Sequence, residues 1–187
     1  MALKSLSKES PLRFIIIFLG LFLVLYYFNI FFFGITSSGN HYNAFLAEHL
    51  NYIRGLRYLL LHISAQLLNW MGYTAITSDY ELLVVGHGTI QLVYSCLGLG
   101  VMSFFTAFVI AYPKKLKAKL LFLASGIFII QLLNILRFVL LALFWRKKGG
   151  LIVDHHTIFN IIIYLIIAIS IYFWVKHDDN RRTQKAG

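Results

Sequence analysis

The 187-residue chain is 59% hydrophobic and only 13% charged, which excludes an ordinary soluble domain and indicates an integral membrane protein. Its formal net charge of +10 comes from Lys and Arg clusters between long apolar runs. The sequence has no basic helix or aromatic-basic platform, so we assign this charge to membrane topology and expect no nucleic-acid partner. The single cysteine, Cys96, excludes a disulfide within the chain and leaves packing or reactivity as its role.

Residues 14–33 form the first apolar run, which is long enough to cross the roughly 30 Å hydrocarbon core of a bilayer as a helix. The run is too long for the apolar part of a typical signal peptide, and no small-x-small cleavage site follows it, so we predict an uncleaved anchor. Three later runs, at 96–112, 120–145 and 157–175, are also predicted to be transmembrane helices. The sequence therefore predicts one all-α membrane domain, a polytopic helical bundle with about four spans.

Two segments between the first and second spans have a different pattern. Residues 43–73 carry apolar side chains at three- and four-residue spacing with Arg54, Arg57 and other polar residues between them, which is typical of an amphipathic interfacial helix. A helix that crosses the membrane is the alternative for this segment. Residues 80–94 contain two β-prone runs around a Gly-His-Gly turn at 86–88, which predicts a short β-hairpin.

The distribution of Lys and Arg predicts how the chain is oriented in a cytoplasmic membrane. The N-terminus, the basic loop at 113–119 and the C-terminus are all expected on the cytoplasmic side if residues 43–73 do not cross. The hairpin and the loop at 146–156 then face outward, although three basic residues at 146–148 run against the rule.

Three polar groups interrupt this apolar sequence: Cys96, an Asn134-x-x-Arg137 motif, and the adjacent histidines His155 and His156. At about 1.5 Å per residue from the cytoplasmic end of each predicted span, Cys96, Arg137 and His156 lie at heights of about 24, 27 and 30 Å. We therefore expect the three groups to meet near the outer face of the membrane.

The chemistry of these side chains is complementary. Cys96 begins a predicted helix, whose dipole favours the thiolate, the nucleophilic form of cysteine. A nearby histidine can take and return a proton, and Arg137 can stabilise an oxyanion. Asn134 lies one turn before Arg137 on the same helix face, and Gly98 permits close approach of a helix or a substrate backbone. We expect no cofactor. Adjacent histidines could suggest a metal site, but they lack the i, i+4 spacing of helical metal ligands, so we expect no metal.

The order of these motifs resembles that of the exosortase/archaeosortase family. The family has Cys-x-Gly at a helix start, here 96–98, then Asn-x-x-Arg in a later span, here 134–137, then a histidine at the head of the last span. The resemblance covers roughly residues 82–172, and the chain is short for the family. Leu97 stands where the family often has serine.

The resemblance implies a polytopic cysteine transpeptidase whose substrates are exported proteins that end in a short motif, a transmembrane helix and a basic tail. Cleavage is expected at the outer membrane surface, followed by transfer to a surface acceptor. The family histidine is often followed four residues later by glycine, and Asn160 fits that position for His156 better than Phe159 does for His155. We predict Cys96, Arg137 and His156 as catalytic residues, with Asn134, His155 and Gly98 in supporting roles.

Alternatives to this function remain open from the sequence. A membrane cysteine protease would use the same chemistry and release its product to water. A membrane acyltransferase would also use a cysteine acyl intermediate. A non-catalytic scaffold or small transporter would need only a buried polar cluster, because a buried cysteine can fill space, an arginine can reach headgroups from within a span, and Asp154 can cap a helix.

Overall fold

The computed structural model describes residues 11–37, 42–144 and 155–183, and within the last range it describes side chains for 159–176. The chain divides into two compact units, Met1–Arg146 and Lys147–Gly187. The first unit contains α1 (Pro11–Thr36), α2 (Ala44–His49), α3 (Tyr52–Trp70), β1 (Ala75–Thr77), β2 (Glu81–Val84), β3 (Gly88–Gln91), a 3-10 turn (Tyr94–Leu97), α4 (Leu99–Ala111) and α5 (Leu116–Phe144). The second unit contains α6 (His155–Thr183).

Three helices in the described part of the chain are long and apolar enough to cross a membrane: α1, α5, and the Phe159–Lys176 part of α6. The apolar helix α4 has 13 residues and is therefore about 20 Å long, shorter than the hydrocarbon core. The chain is thus a multi-span membrane protein, and the predicted all-α membrane fold is confirmed.

Helices α1 and α4 pack side by side in opposite directions, and a row of aromatic side chains makes contacts between them. At one end, the ring of Phe14 lies 5.4 Å from the ring of Phe108 in an edge-to-face contact. At the other end, the ring of Phe33 lies 4.5 Å from that of Tyr94. The C-terminal end of α1 therefore lies beside the N-terminal end of α4, which is the end that follows Cys96.

The predicted 43–73 helix is two helices, with a break at Leu50 and Asn51. Leu50 has a non-helical backbone and ends α2, and the Asn51 side chain accepts a hydrogen bond of 2.9 Å from the Arg54 amide to cap α3. Asparagine is among the preferred residues at such N-caps, so a second helix starts here. The amphipathic α3 buries Leu60, Leu61 and Leu68 against α5 and the sheet, and it is not among the membrane-crossing helices.

The predicted hairpin is present as β2 and β3, and a third strand adds to it. The antiparallel sheet has the order β1-β2-β3, with Ala75 opposite Val84 and Glu81 opposite Gln91. Alternate residues of β2, Leu82 and Val84, are buried, while their neighbours are exposed. The sheet therefore presents one apolar face to the core that it shares with α3 and α5.

Candidate functional site

Cys96 lies in the 3-10 turn between β3 and α4, and only 2% of the residue is exposed. The Cys96 amide donates a hydrogen bond of 2.9 Å to the carbonyl of Val93, which closes the turn. Gly98 then adopts a left-handed conformation with φ of 73°, and α4 begins at Leu99. Cys96 therefore precedes the helix by one turn, whereas the hydropathy pattern placed it as the first residue of the span.

Gly98 is required at its position for two independent reasons. Its positive φ is a conformation that side chains with a Cβ disfavour. A Cβ at Gly98 would also lie 2.6 Å from Nδ2 of Asn134, so the Asn134 side chain or the turn would have to shift. Two of the supporting residues predicted from the sequence are thus packed directly against each other.

The carbonyl oxygen of Leu97, next to Cys96, accepts hydrogen bonds from two side-chain amides of α5. Nδ2 of Asn134 and Nε2 of Gln131 each lie 3.5 Å from this oxygen, at the long end of the hydrogen-bond range. The two amides are linked to each other, because Nδ2 of Asn134 also donates to Oε1 of Gln131 at 3.2 Å. Nε2 of Gln131 also lies 3.0 Å from the sulfur of Met102 on α4. These contacts attach the cysteine turn to α5.

Gln131 was not among the residues predicted from the sequence. A signal for it was present, because Gln131 lies three residues before Asn134 and both interrupt an apolar span. Residues at this spacing share one face of a helix, so the two amides point the same way. The sequence could not show that their common target is a backbone carbonyl of another segment.

Arg137 lies one turn after Asn134 on the buried side of α5 and is 3% exposed. The helical rise places it about 4.5 Å further along the axis than Asn134. Its Cζ atom lies 5.4 Å from the ring centroid of the neighbouring Phe138. Asn134 contacts the turn that carries Cys96, and Arg137 follows Asn134 by one turn on the same side of α5. The Cys-x-Gly and Asn-x-x-Arg motifs therefore meet in the fold.

The predicted approach of the two histidines to Cys96 and Arg137 stays a prediction. His155 and His156 lie in the first turn of α6, and their side chains lie outside the described residues.

Tyr94, two residues before Cys96, has a hydroxyl that favours its protonated form. Burial is the main cause that raises the pKa of Tyr94, and the nearby Tyr52 and Tyr26 raise it further. A tyrosine hydroxyl is neutral at physiological pH even with its ordinary pKa of 10.0, and the raised pKa keeps Tyr94 able to donate a hydrogen bond at higher pH. No pattern in the sequence distinguishes this tyrosine from the others.

Comparison with known families identifies the chain. Residues 2–173 match the family model described as Transmembrane exosortase (Exosortase_EpsH). The chain belongs to the transmembrane exosortase family. No curated protein and no solved structure matches this exosortase.

The matched stretch of the exosortase includes both the Cys96 turn and the face of α5 that carries Arg137. The family predicted from the order of the sequence motifs is therefore confirmed. Leu97 contributes its backbone carbonyl to the contact with α5. That contact does not depend on the side chain at position 97.

Proposed function

We propose that this exosortase is a membrane cysteine transpeptidase. Its substrates would be exported proteins with a C-terminal motif, a transmembrane helix and a basic tail, and it would transfer the cleaved chain to a surface acceptor. The observation that carries the proposal is the pair of amides, Asn134 and Gln131, on the carbonyl of Leu97. These contacts support the proposal because they attach the cysteine turn to α5, the helix that carries Arg137, so the proposed nucleophile and the proposed cation would lie in one region of the core.

In the proposed reaction, His156 takes the proton of the Cys96 thiol, and the sulfur attacks the substrate's scissile carbonyl carbon. The electron pair of the carbonyl moves to oxygen, and Arg137 stabilises that oxyanion. When the tetrahedral intermediate collapses, the carbon–nitrogen bond breaks, and His156 gives its proton to the leaving amine. A thioester on Cys96 remains.

The second half of the proposed reaction regenerates the enzyme. An acceptor amine attacks the thioester carbon and loses a proton to His156. The carbon–sulfur bond breaks, a new amide forms, and the proton returns from His156 to the Cys96 thiolate. With water as the acceptor, the same sequence of steps gives hydrolysis, so transpeptidase and protease differ only in which nucleophile reaches the thioester.

The burial of the site supports a reaction that is shielded from water. Arg137 is 3% exposed, and a charge in such surroundings interacts with a developing oxyanion more strongly than a charge in water does. Because Cys96 is also buried, a substrate must enter between packed elements to reach it. We infer that the substrate's own transmembrane helix makes this entry from the bilayer.

The orientation in the membrane is part of the proposal. The positive-inside rule places the N-terminus in the cytoplasm, so the C-terminal end of α1 faces outward. Phe33, near that end, packs on Tyr94, two residues before Cys96. Cys96 would then lie on the outer side of a cytoplasmic membrane, where exported substrates are accessible.

The test is to trap the acyl-enzyme in proteoliposomes with a candidate substrate and to measure the intact mass of the enzyme. We expect an adduct on Cys96, and a loss of processing of at least about a thousandfold in Cys96→Ala. Ser125→Ala, which removes an exposed hydroxyl from α5, is the control and should process normally. Addition of an amine should give an amine-linked product, and a hydrolysed product alone would indicate a protease. If Cys96→Ala still processes the substrate, the cysteine mechanism is wrong.

A further inference from the structure

A polar cavity lies at the C-terminal end of α1, on the same side of the first unit as Cys96. Its volume is about 510 Å³. The end of α1, helix α2, the first two turns of α3 and the loop between β1 and β2 form its walls, with Phe33, Thr36, Glu48, Arg57, Asp79 and Tyr80 among the lining residues. Phe33 also contacts Tyr94, two residues before Cys96, so this aromatic pair connects the wall of the cavity with the segment that carries the cysteine.

Arg57 is a buried cation in the wall of this cavity. The residue is 5% exposed, although it is a permanent cation, and Nε has no hydrogen-bond partner in the part of the chain that the structure describes. Its Cζ atom lies 4.3 Å from the ring centroid of Tyr80, which holds the guanidinium plane in place. A buried cation with an unsatisfied donor is costly unless an anion completes its surroundings.

The acidic residues that line the cavity are not the anion that Arg57 needs. Asp79 lies 3.6 Å from Nη2 of Arg54, and both of these side chains are mostly exposed. Glu48 is also exposed. Arg57 therefore differs from the other charged lining residues because it is the one held away from water. A guanidinium presents a planar fork of donors that matches two oxygens of a phosphate or a carboxylate.

The height of the cavity in the membrane selects between these anions. Helix α1 has 26 residues and is about 39 Å long, so it nearly spans a bilayer of about 40–45 Å including its headgroups. The end of α1 at Thr36 therefore lies at the headgroup level. Tyr42 and Tyr80 are exposed around the cavity, as is common for tyrosine at a membrane interface. At that level, the phospholipid phosphate is the anion that surrounds the protein.

We propose that this cavity binds the phosphate group of a phospholipid headgroup, with Arg57 as the donor. The volume is large enough for a phosphate with its attached alcohol, and the open side permits the acyl chains to remain in the bilayer. The site does not involve Cys96, so the proposal stands apart from the proposed reaction. A lipid held here would lie beside the region where the substrate's membrane segment must enter.

The test uses the full chain in dodecyl maltoside, a detergent that contains no phosphate. Binding of dihexanoyl-phosphatidylglycerol is measured by native mass spectrometry and by the shift in melting temperature. Dihexanoylglycerol, which lacks the phosphate, and inorganic phosphate are titrated in parallel, as is a short acidic peptide. Arg57→Gln is compared with Arg54→Gln, which removes an arginine of the same cavity that is exposed and paired with Asp79.

We expect saturable binding of the phospholipid by the wild-type protein and by Cys96→Ala. Arg57→Gln should weaken it by roughly 10- to 100-fold, the effect of losing charge-assisted hydrogen bonds, and Arg54→Gln should weaken it by less than about threefold. Competition by inorganic phosphate at the same concentration as the lipid would support the phosphate site and would assign it to a soluble phosphate. Weak competition by inorganic phosphate would support the lipid headgroup as its source.

Three results would overturn the proposal: equal binding of dihexanoylglycerol, unchanged phospholipid affinity in Arg57→Gln, or Arg57-dependent binding of the acidic peptide without binding of the phospholipid. If Arg57→Gln fails to fold, the comparison of phosphate-bearing and phosphate-free lipids on the wild-type protein decides the question. Arg57→Lys, which keeps the charge but loses the planar fork, then supplies the second variant and should bind the phospholipid more weakly than the wild type.

Discussion

Replacing Gly98 with alanine is the sharpest test of how the cysteine turn is held. Gly98 has a φ of 73°, and a new Cβ would lie 2.6 Å from Nδ2 of Asn134. The substitution therefore combines backbone strain with a clash. Either the turn or the Asn134 side chain must move, and either movement separates the amide from the carbonyl of Leu97.

The size of the effect follows from these two contributions. A left-handed conformation costs a residue with a Cβ about 1–2 kcal/mol. Loss of one or two hydrogen bonds to the Leu97 carbonyl costs about 0.5–1.5 kcal/mol more for each, so the total is about 1.5–5 kcal/mol. A membrane domain of this kind should still fold, but the Cys96 turn would no longer be fixed to the Arg137 face.

The assay is thermal unfolding in detergent together with substrate processing, and the chain offers matched controls. Gly72 has a φ of 90°, and a Cβ added there would meet nothing within 4 Å, so Gly72→Ala reports strain without a clash. Gly55, within α3, has neither strain nor a close neighbour, and Gly55→Ala should be neutral or stabilising by up to about 1 kcal/mol. We expect Gly98→Ala to be the least stable of the three and the only one that loses most of its processing.

Two results would refute this reasoning. If Gly98→Ala lost no more stability than Gly72→Ala and processed normally, the contact with Asn134 would have no specific role. The double variant Gly98→Ala with Asn134→Ala removes the clash but also removes the amide. It should recover part of the lost stability without recovering activity, and a full recovery of activity would contradict the proposed positioning role of Asn134.

Three further predictions concern neighbouring side chains. Arg137→Lys keeps the charge without the planar fork and should lower the rate of acyl-enzyme formation by about a hundredfold, with Arg137→Gln lower still; equal rates for both variants would contradict a role for the charge. Gln131→Glu places an acceptor-only carboxylate against the Leu97 carbonyl and should reduce processing more than Gln131→Met does, as measured by initial rates. Burial raises the pKa of Tyr52, so the fold favours its neutral form, and the resulting stability is present below pH 10.0 and is lost as pH rises through the folded-state pKa; melting temperatures measured above pH 10.0 should fall less steeply in Tyr52→Phe.

The motifs of the site could be found from the sequence because they depend on local spacing. Asn134 and Arg137 are three residues apart, which places both on one helix face whatever surrounds that helix. Cys96 and Gly98 flank a single residue, and only glycine adopts the left-handed conformation readily. What those residues contact could not be read from the sequence, because the partner of Asn134 is a backbone carbonyl on another segment.

Hydropathy by itself determined that this protein is a multi-span helical membrane protein, since an apolar run of sufficient length in lipid must satisfy its own backbone hydrogen bonds. The order of short polar motifs determined its family. Only the tertiary structure added the strand β1, because a three-residue segment is too short to give a strand pattern and becomes a strand only by pairing with β2. It also decided that Arg57 is buried while Arg54, one turn earlier on the same helix, is exposed. The burial of a polar side chain depends on which other segments cover it, and no local pattern specifies that.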